Sequence, residues 1–448
     1  MSTTRFWCEL AAIPHGVGER VAITVDEGRI SGVDVDVDPA PGDTRRAGLT
    51  LAGLANAHSH AFHRALRHRT HGDGGTFWTW REQMYRAAAS LDPDSYRRLA
   101  TAVFAEMALA GVTSVGEFHY LHHRPDGGRY DDPNEMGAAL LDAATAAGIR
   151  ITLLDTVYLH GGLDDGGYTP LGDHQRRFGD RDAEAWATRV EALSPAEGQR
   201  IGAAVHSVRA VDPAASAAVA DWARAGGAPL HAHVSEQPAE NEQCLAHLGA
   251  TPVAVLDGAG VLDTAFTAVH ATHLTDDDLA TLGTAGAGVC LCPTTERDLA
   301  DGIGPAAALR AVGASLCLGS DSHAVIDLFE EARAVELDER LDTGRRGIHD
   351  PLALLAMATV NGQAALGWDD AGTLEVGARA DLVTVRLDSV RTAGATADTA
   401  IAAATFSATA ADVTDVVVDG RTVVDDGRHV TVDVANELTT AIARVMGG

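Results

Sequence analysis

Two histidines separated by one residue are the first group in the sequence that could bind a metal ion. They are His58 and His60, in the segment NAHSH. Residues two apart on an extended chain point to the same side, so both imidazoles can address one ion. Imidazole is a common zinc ligand. Taken alone, such a pair is more typical of surface or hydrogen-bonded histidines, so a metal site needs support from other residues.

Three later apolar runs also end in side chains suited to metal binding or proton transfer. The segment PLHAHVSE offers His233 as a third ligand and Glu236 three residues later. His231 shares a face with His233, so one of the two can be a core histidine or a hydrogen-bond partner. His270 closes AVH, and Asp321 follows in LGSDSH. An Asp at such a place, taken singly, is more typical of a helix cap.

Eight strand-like apolar runs must position these side chains. They are residues 49–60, 114–120, 150–158, 201–209, 229–236, 266–274, 287–293 and 314–322. Ala-rich segments between them, mostly ended by glycine, are predicted helices. These are residues 95–110, 134–147, 182–193, 213–225 and 306–312. The alternation predicts an α/β fold, a (β/α)8 TIM-like barrel with its chemistry at the C-terminal ends of the strands, where the polar motifs fall.

Both ends of the chain predict short antiparallel strands. Residues 21–37 alternate apolar and polar side chains around a Glu27-Gly28 turn, and an Asp419-Gly420 turn separates two similar runs near the C-terminus. The C-terminal strand-like runs are residues 380–385, 413–418 and 422–424. We predict a small β-sandwich built from residues 1–48 and 369–448, flanking a barrel of residues 49–368. Residues 392–409 are predicted to form a loop or a short helix.

The order of the polar motifs resembles the amidohydrolase superfamily, specifically its mononuclear members that deaminate C=N bonds. An HxH pair, an HxxE segment, a terminal His and a terminal Asp fall on strands one, five, six and eight, an order that coincidence does not explain. The resemblance implies one divalent metal per chain, Zn2+ with iron as the alternative. Its implied ligands are His58, His60, His233 and Asp321.

The resemblance also implies a mechanism. Zinc lowers the pKa of its bound water toward about 7, and the zinc-bound hydroxide would attack an sp² carbon. Asp321 would accept a proton beside that water, Glu236 would protonate the departing nitrogen, and His270 would stabilise or relay protons. The sequence contains no lysine. This absence agrees with the mononuclear type, because binuclear members usually carry a carbamylated lysine.

Two arginines suggest an acidic substrate. Arg209 ends the fourth run, and Arg81 follows the aromatic cluster FWTW, residues 77–80, in the predicted loop after strand one. A guanidinium holds a carboxylate bidentately, and that loop is where a lid is expected. The alternatives are surface ion pairs for the arginines and a core or dimer contact for the aromatic cluster.

Six segments narrow the resemblance to the N-formimino-L-glutamate deiminase family of histidine degradation. They are NAHSHAFHR, FWTWREQMYR, GEFHYLHH, VHSVRAV, HVSEQ and GSDSH. The resemblance implies hydrolysis of that substrate to N-formyl-L-glutamate and ammonia. Arg81, Tyr120, His206 and Arg209 would bind its carboxylates. The family usually has Gln where this sequence has His63, which predicts altered affinity rather than a new reaction. Family members are commonly homodimers, so we expect one here.

The composition excludes several other classes of function. The 448 residues include 63 acidic and 34 basic side chains, giving a net charge of -29, which argues against nucleic-acid partners and membrane docking. Lack of lysine excludes Schiff-base and P-loop chemistry. Five cysteines without a CxxC pair, with no visible export signal or membrane-length apolar stretch, favour a cytoplasmic protein. At long range this charge repels an acidic substrate, so a local arginine pocket becomes more necessary.

Three other hypotheses remain from the sequence. A nucleobase aminohydrolase of the guanine or cytosine deaminase type would share the metal and proton machinery but predicts a neutral, aromatic-lined pocket. A noncatalytic barrel scaffold should have lost metal ligands, whereas the whole set is present. A metal-buffering surface made by the 20 histidines would need clustering that the sequence does not show.

Overall fold

The computed structural model of the protein describes residues 3–71, 77–164 and 166–447, with the backbone alone for residues 77 and 78. Its strands are β1 (Thr4–Ile13), β2 (Gly16–Asp26), β3 (Arg29–Asp34), β4 (Thr44–Ala52), β5 (Leu54–Ser59), β6 (Val112–His119), β7 (Arg150–Val157), β8 (Gly162–Asp164), β9 (Gly167–Thr169), β10 (Gln199–Val205), β11 (Pro229–Val234), β12 (Ala265–His270), β13 (Gly288–Leu291), β14 (Ser315–Leu318), β15 (Leu382–Val385), β16 (Val413–Val418), β17 (Arg421–Asp425) and β18 (Arg428–His429). Its α-helices are α1 (Phe77–Ala89), α2 (Pro93–Leu109), α3 (Glu135–Ala147), α4 (Ala183–Val190), α5 (Pro213–Gly226), α6 (Pro238–Leu248), α7 (Pro252–Gly258), α8 (Asp276–Ala285), α9 (Pro293–Leu299), α10 (Ala306–Ala311), α11 (Leu328–Thr343), α12 (Pro351–Ala358), α13 (Val360–Ala365), α14 (Ala400–Phe406) and α15 (Val434–Met446).

Eight parallel strands form a nearly closed barrel, which confirms the predicted fold. Their order is β5-β6-β7-β10-β11-β12-β13-β14, the order of the chain itself. The first and last strands meet through their C-terminal extensions. The Asp321 N–H donates to the His58 carbonyl at 3.0 Å, and the His60 N–H donates to the Asp321 carbonyl at 3.2 Å. Closure of the barrel therefore joins the backbones that carry three of the candidate ligands.

Strands from both chain ends share a second eight-stranded sheet, as predicted. Its order is β18-β17-β16-β15-β4-β1-β2-β3, with β1 and β4 parallel and β15 antiparallel to β4. The predicted turns join β2 to β3 and β16 to β17. Residues 392–409 contain α14 between loop segments. The domain division at residues 48 and 368 stays a prediction.

The prediction of one strand over residues 49–60 is wrong. Residues up to Ala52 belong to β4 in the terminal sheet, and barrel strand β5 begins at Leu54. A Cβ on Gly53 would lie 2.2 Å from Thr113 Oγ1 and 2.7 Å from Asp381 Cβ. Only glycine fits this crossing between the two sheets. The unbroken apolar run hid the break because both strands are buried.

The five predicted helices are present as α2, α3, α4, α5 and α10, with bounds within a few residues of those predicted. Glycines follow several of them in the left-handed conformation, as the sequence indicated: Gly148 has φ 73° and Gly227 has φ 58°. Among the described residues, no helix combines the length and apolar character that a membrane crossing requires.

A buried ion pair connects the barrel to the terminal sheet. Arg150, the first residue of β7, donates through Nη1 to Asp381 Oδ1 at 2.9 Å, and its Nη2 pairs with the other Asp381 oxygen. It also contacts Asp419 Oδ1 at 3.1 Å and donates to Ser114 Oγ at 2.9 Å. Both members of the pair have side chains only 1% exposed. If one member of the pair were removed, water could not reach the other to stabilise its charge.

Asp381→Asn is expected to lower the free energy of unfolding by about 3–5 kcal/mol, because a buried guanidinium loses its compensating charge. Urea unfolding followed by circular dichroism measures the change. Asp388→Asn is the matched control, because Asp388 pairs with Arg386 on the surface, where its side chain is 78% exposed. The control should unfold like the unsubstituted protein. Equal unfolding midpoints for both variants would contradict the assignment of Arg150–Asp381 as the connection between the two sheets.

Candidate active site

The candidate metal ligands lie together at the C-terminal end of the barrel. His58 and His60 are at the end of β5, His233 is in β11, and Asp321 follows β14 by three residues. All four are buried, with His58 fully inaccessible. His58 Nε2 lies 3.2 Å from His233 Nε2 and 3.4 Å from Asp321 Oδ1. His60 Nε2 is also 3.4 Å from Asp321 Oδ1. The ligand atoms thus form two groups that share His58, one with His60 and Asp321 and the other with His233 and His270.

Backbone carbonyls orient two of these imidazoles. His60 Nδ1 lies 2.9 Å from the Phe118 carbonyl, and His233 Nδ1 lies 2.8 Å from the His206 carbonyl. A carbonyl only accepts, so each Nδ1 must carry the proton and each Nε2 keeps a lone pair. The His60 lone pair lies toward Asp321, and the His233 lone pair lies toward His58. This is the arrangement by which proteins present histidine to a metal.

Burial keeps the imidazoles neutral. It lowers the pKa of His58 to about 3 and that of His233 to about 4, and it lowers the pKa of His60 well below its usual range. Neutral nitrogen lone pairs and the Asp321 carboxylate are good ligands for a divalent cation. Without a cation these electron-pair donors repel one another. The donor set, three imidazoles and one carboxylate, therefore fits zinc or iron.

Two other histidine groups prove unsuited to a metal. His231 Nε2 donates to the Ala365 carbonyl at 2.9 Å, away from the cluster, which decides between the two histidines of β11. His119, His122 and Asp155 also lie close together. Both oxygens of Asp155 accept hydrogen bonds from Arg189 at 2.8 Å, so a cation there would meet an occupied carboxylate and a positive charge.

Glu236 and His270 lie beside the ligand cluster. His270, the last residue of β12, has Nε2 at 3.9 Å from both Glu236 Oε1 and Asp321 Oδ2. Burial opposes a charge on His270, but the Glu296 hydrogen bond and the charges of Glu236 and Asp321 raise its pKa to about 10. A bound cation would oppose that rise by repulsion. Both candidate proton carriers are thus within reach of the same small volume.

Strained backbone concentrates at these strand ends. Ser235, His270 and Asp321 have φ values of 51°, 68° and 39°, in the left-handed region that side chains rarely adopt. Such conformations cost free energy and persist where surrounding contacts hold them, which is common at active sites. The barrel closure bonds hold Asp321, and Ala271 N–H, donating to Val234 at 3.0 Å, holds the segment at His270.

A cavity of about 310 Å³ opens beside the cluster, and all five candidate substrate residues line it. They are His63, Arg81, Tyr120, His206 and Arg209. His63 Nε2 is 3.0 Å from Tyr120 Oη, and its ring is 5.0 Å from that of Trp80. The structure therefore brings together every site residue that the sequence indicated.

The prediction that Arg81 lies in a loop is wrong. It is in helix α1, and its Nε donates to Tyr85 Oη at 2.6 Å. Of the aromatic cluster, residues 77–80, interpreted as a core or dimer contact, the side chains of residues 77 and 78 lie outside those the structure describes, and Trp80 is partly buried against the core and lines the cavity.

Arg209 is the cation nearest the proton carrier. Its Nη2 lies 3.7 Å from Glu236 Oε2 and its Nε lies 3.9 Å from Glu240 Oε2. These separations exceed a hydrogen bond, and the buried Nε has no hydrogen-bond partner within the described part of the chain. A buried guanidinium that lines a cavity and does not complete a close ion pair within the chain is suited to a ligand carboxylate.

Other residues at the site escaped the sequence interpretation. Glu117 accepts from the Ala61 N–H at 2.7 Å and from Ser59 Oγ at 2.6 Å. It therefore holds the residues on both sides of His60. Burial raises its pKa to about 8. Tyr158 lines the cavity and accepts from Gln175. An acid inside an apolar strand was the available signal for Glu117, whereas nothing in the pattern distinguished Tyr158.

Comparisons with known proteins agree with this geometry. The model of the amidohydrolase family matches residues 49–423. Formimidoylglutamate deiminase of Pseudomonas aeruginosa is 37% identical over 406 residues, which are 88% of this chain and 88% of that protein. The 8-oxoguanine deaminase of the same organism is 30% identical over 78% of this chain and 76% of its own. A crystal structure of an amidohydrolase from Brucella melitensis is 34% identical and superposes with a TM-score of 0.90 over 99% of this chain and 100% of that one.

Proposed function

The chain belongs to the amidohydrolase family and is a hydrolase, and from that premise we propose that it converts N-formimino-L-glutamate and water to N-formyl-L-glutamate and ammonia in histidine degradation. The observation that supports this proposal most directly is the cavity of about 310 Å³, which joins the buried histidine and aspartate cluster to Arg81 and Arg209. The 37% identity to the formimidoylglutamate deiminase of Pseudomonas aeruginosa supports the same substrate.

One divalent metal ion per chain belongs to this proposal. His58, His60, His233 and Asp321 would hold it, through three neutral imidazoles and one carboxylate. Zinc suits this donor set best, and iron is the alternative. When bound, the ion supplies Lewis acidity, which makes water a nucleophile near neutral pH.

The proton transfers fall to three residues of the chain. Asp321 Oδ2 would accept a proton from the attacking water, since it lies on the cavity wall. Glu236 would deliver a proton to the departing nitrogen of the formimino group, so that it leaves as ammonia. His270 Nε2, 3.9 Å from each of these carboxylates, would stabilise the negative charge that develops on the oxygen.

The substrate's two carboxylates would bind to the cationic side chains that line the same cavity. Arg209 lies beside Glu236, and Arg81 belongs to α1. Tyr120 and His206 would add hydrogen bonds from the end of β6 and the residue after β10. His63 would hold Tyr120 through the 3.0 Å contact, so a Gln at this place would change affinity rather than the reaction.

Arg209→Met is expected to raise KM for N-formimino-L-glutamate about 30- to 150-fold, because a charge-assisted pair worth about 2–3 kcal/mol is lost. Metal content should not change. Steady-state kinetics with metal analysis checks both points. Arg224→Met is the control, since Arg224 is exposed and pairs with Asp221 on the surface of α5. A normal KM for Arg209→Met would place the carboxylate site elsewhere.

The direct test compares substrates. Zinc-loaded protein is incubated with N-formimino-L-glutamate, guanine and cytosine in parallel, and the released ammonia is measured. We expect turnover of the first compound alone. Ammonia from guanine or cytosine would instead favour a nucleobase aminohydrolase, the second candidate, which the 30% identity to the 8-oxoguanine deaminase supports. Two arginines at the cavity argue against a neutral base.

A noncatalytic scaffold is the remaining alternative, and absence of turnover on all three compounds would favour it. Complete ligands and proton carriers argue against it, because a scaffold has no need of them. We further propose a cytoplasmic homodimer that takes a small acidic substrate, without nucleic-acid or membrane partners. Sedimentation of the purified protein measures the number of subunits.

A further inference from the structure

A buried carboxylate lies behind His270, on the side away from the ligand cluster. Glu296 belongs to the first turn of α9, and only 5% of it is exposed. Its Oε1 accepts the backbone N–H of Cys292 at 2.9 Å and lies 3.3 Å from His270 Nδ1. Cys292 is the residue that caps α9, so the start of the helix fixes the carboxylate in place.

The contact with Glu296 keeps a proton on Nδ1 of His270 and leaves Nε2 as the nitrogen that can act on the reacting group. A carboxylate accepts hydrogen bonds, so Nδ1 must donate and must be protonated. Nε2 then faces Glu236 and Asp321, at 3.9 Å from each. A ring rotated by half a turn would present carbon atoms to those carboxylates and leave Glu296 without its donor, which burial makes costly.

The backbone at His270 needs such a restraint. His270 and Ala271 have φ values of 68° and 52°, two successive residues in the left-handed region. This conformation turns the side chain of the last β12 residue toward the cluster. Contacts made by the His270 ring must therefore stabilise this unfavourable backbone conformation.

We propose that Glu296 is a positioning residue for the hydrolysis: it holds the His270 ring so that Nε2 faces the reacting group. This inference rests on the proposed function for its catalytic consequence. Glu296 itself does not line the cavity. Its effect passes through His270, as a carboxylate behind a catalytic histidine fixes tautomer and orientation in other hydrolases.

A neighbouring acid provides a matched control. Glu331 in α11 is fully buried, and its carboxylate accepts from the Thr294 backbone N–H at 2.9 Å and pairs with Thr294 Oγ1. It therefore supports the same helix α9 as Glu296 but has no recorded contact with His270. Glutamine can satisfy both Thr294 groups, so Glu331→Gln tests loss of a buried acid from this region alone.

The kinetic experiment compares Glu296→Leu with Glu331→Gln in zinc-loaded protein. Leucine removes the acceptor for His270 Nδ1, whereas an amide oxygen at the same place would keep it. Glu296→Leu should lower kcat for N-formimino-L-glutamate about 10- to 100-fold, with KM and zinc content close to those of the unsubstituted protein. Glu331→Gln should keep kcat within about twofold. A normal kcat for Glu296→Leu would overturn the proposal, and so would loss of zinc from that variant, because Glu296 would then act on the metal site.

A second measurement is independent of the substrate. Long-range proton–nitrogen NMR of protein labelled with 15N-histidine reports whether His270 Nδ1 carries a hydrogen-bonded proton, with His270→Gln identifying its signals. We expect that proton in the unsubstituted protein and in Glu331→Gln, and its loss in Glu296→Leu, which has no acceptor for it. An unchanged Nδ1 signal in Glu296→Leu would overturn the proposal. If the unsubstituted protein does not hydrolyse N-formimino-L-glutamate, the proposed function fails, and the NMR result still decides whether Glu296 positions His270.

Discussion

His233→Ala should lose both bound metal and activity. Zinc content is expected to fall from about one ion per chain to nearly none after dialysis, with turnover of N-formimino-L-glutamate reduced at least about 1000-fold. The physical reason is that His233 Nε2 lies 3.2 Å from His58 Nε2, so its removal takes one of the three imidazoles from the ligand set. Elemental analysis by mass spectrometry and an ammonia assay measure the two effects.

His231→Ala is the control for this variant. His231 is two residues earlier on the same strand, equally buried, and bonded to the Ala365 carbonyl instead of the cluster. It should lose some stability but retain zinc. If His233→Ala kept one zinc per chain at full turnover, or if both variants lost zinc alike, His233 would not be a ligand.

Glu236→Gln should separate metal binding from proton transfer. Glutamine has nearly the same shape as glutamate but cannot deliver a proton, so kcat is expected to fall about 100- to 10,000-fold while zinc content stays at one per chain. Glu236 is not among the groups of ligand atoms that could hold the metal. Single-turnover release of ammonia measures the chemical step.

Glu242→Gln is the control for a lost carboxylate in this region, since Glu242 is exposed on α6. It should have normal kcat. A normal kcat for Glu236→Gln would exclude it as the proton carrier, whereas parallel loss of zinc and activity would make it a ligand. Together, His233→Ala and Glu236→Gln distinguish a metal ligand from a proton carrier that lies 3.9 Å from His270.

The sequence predicted the barrel because its strands are continuous apolar runs separated by amphipathic, glycine-ended helices. It failed at residues 49–60, where two buried strands of different sheets follow one another without a polar break. It also failed at Arg81, which lies in helix α1 and not in a loop. Local patterns of apolar and polar residues indicate burial and the type of secondary structure, but they do not indicate which sheet a strand joins.

The candidate site divides in the same way. His58, His60, His233 and Asp321 could be named from their positions at strand ends, whereas the roles of Glu117 and Glu296 could not. The importance of these two acids arises from contacts with residues that are distant in sequence or on another element. Glu296, for instance, is 26 positions from His270, and only the packing of α9 against β12 brings them to 3.3 Å.

The amino-acid sequence by itself determined which side chains are present for chemistry and on which strands they fall, because the alternation of apolar and polar residues follows directly from the chain. Tertiary structure alone decided the rest: that β5 meets β14, that His231 points away while His233 points inward, and that Arg209 lines the cavity without a close ion pair. Distances between side chains on different strands depend on how the barrel closes. Closure is a property of all eight strands together, which no local segment encodes.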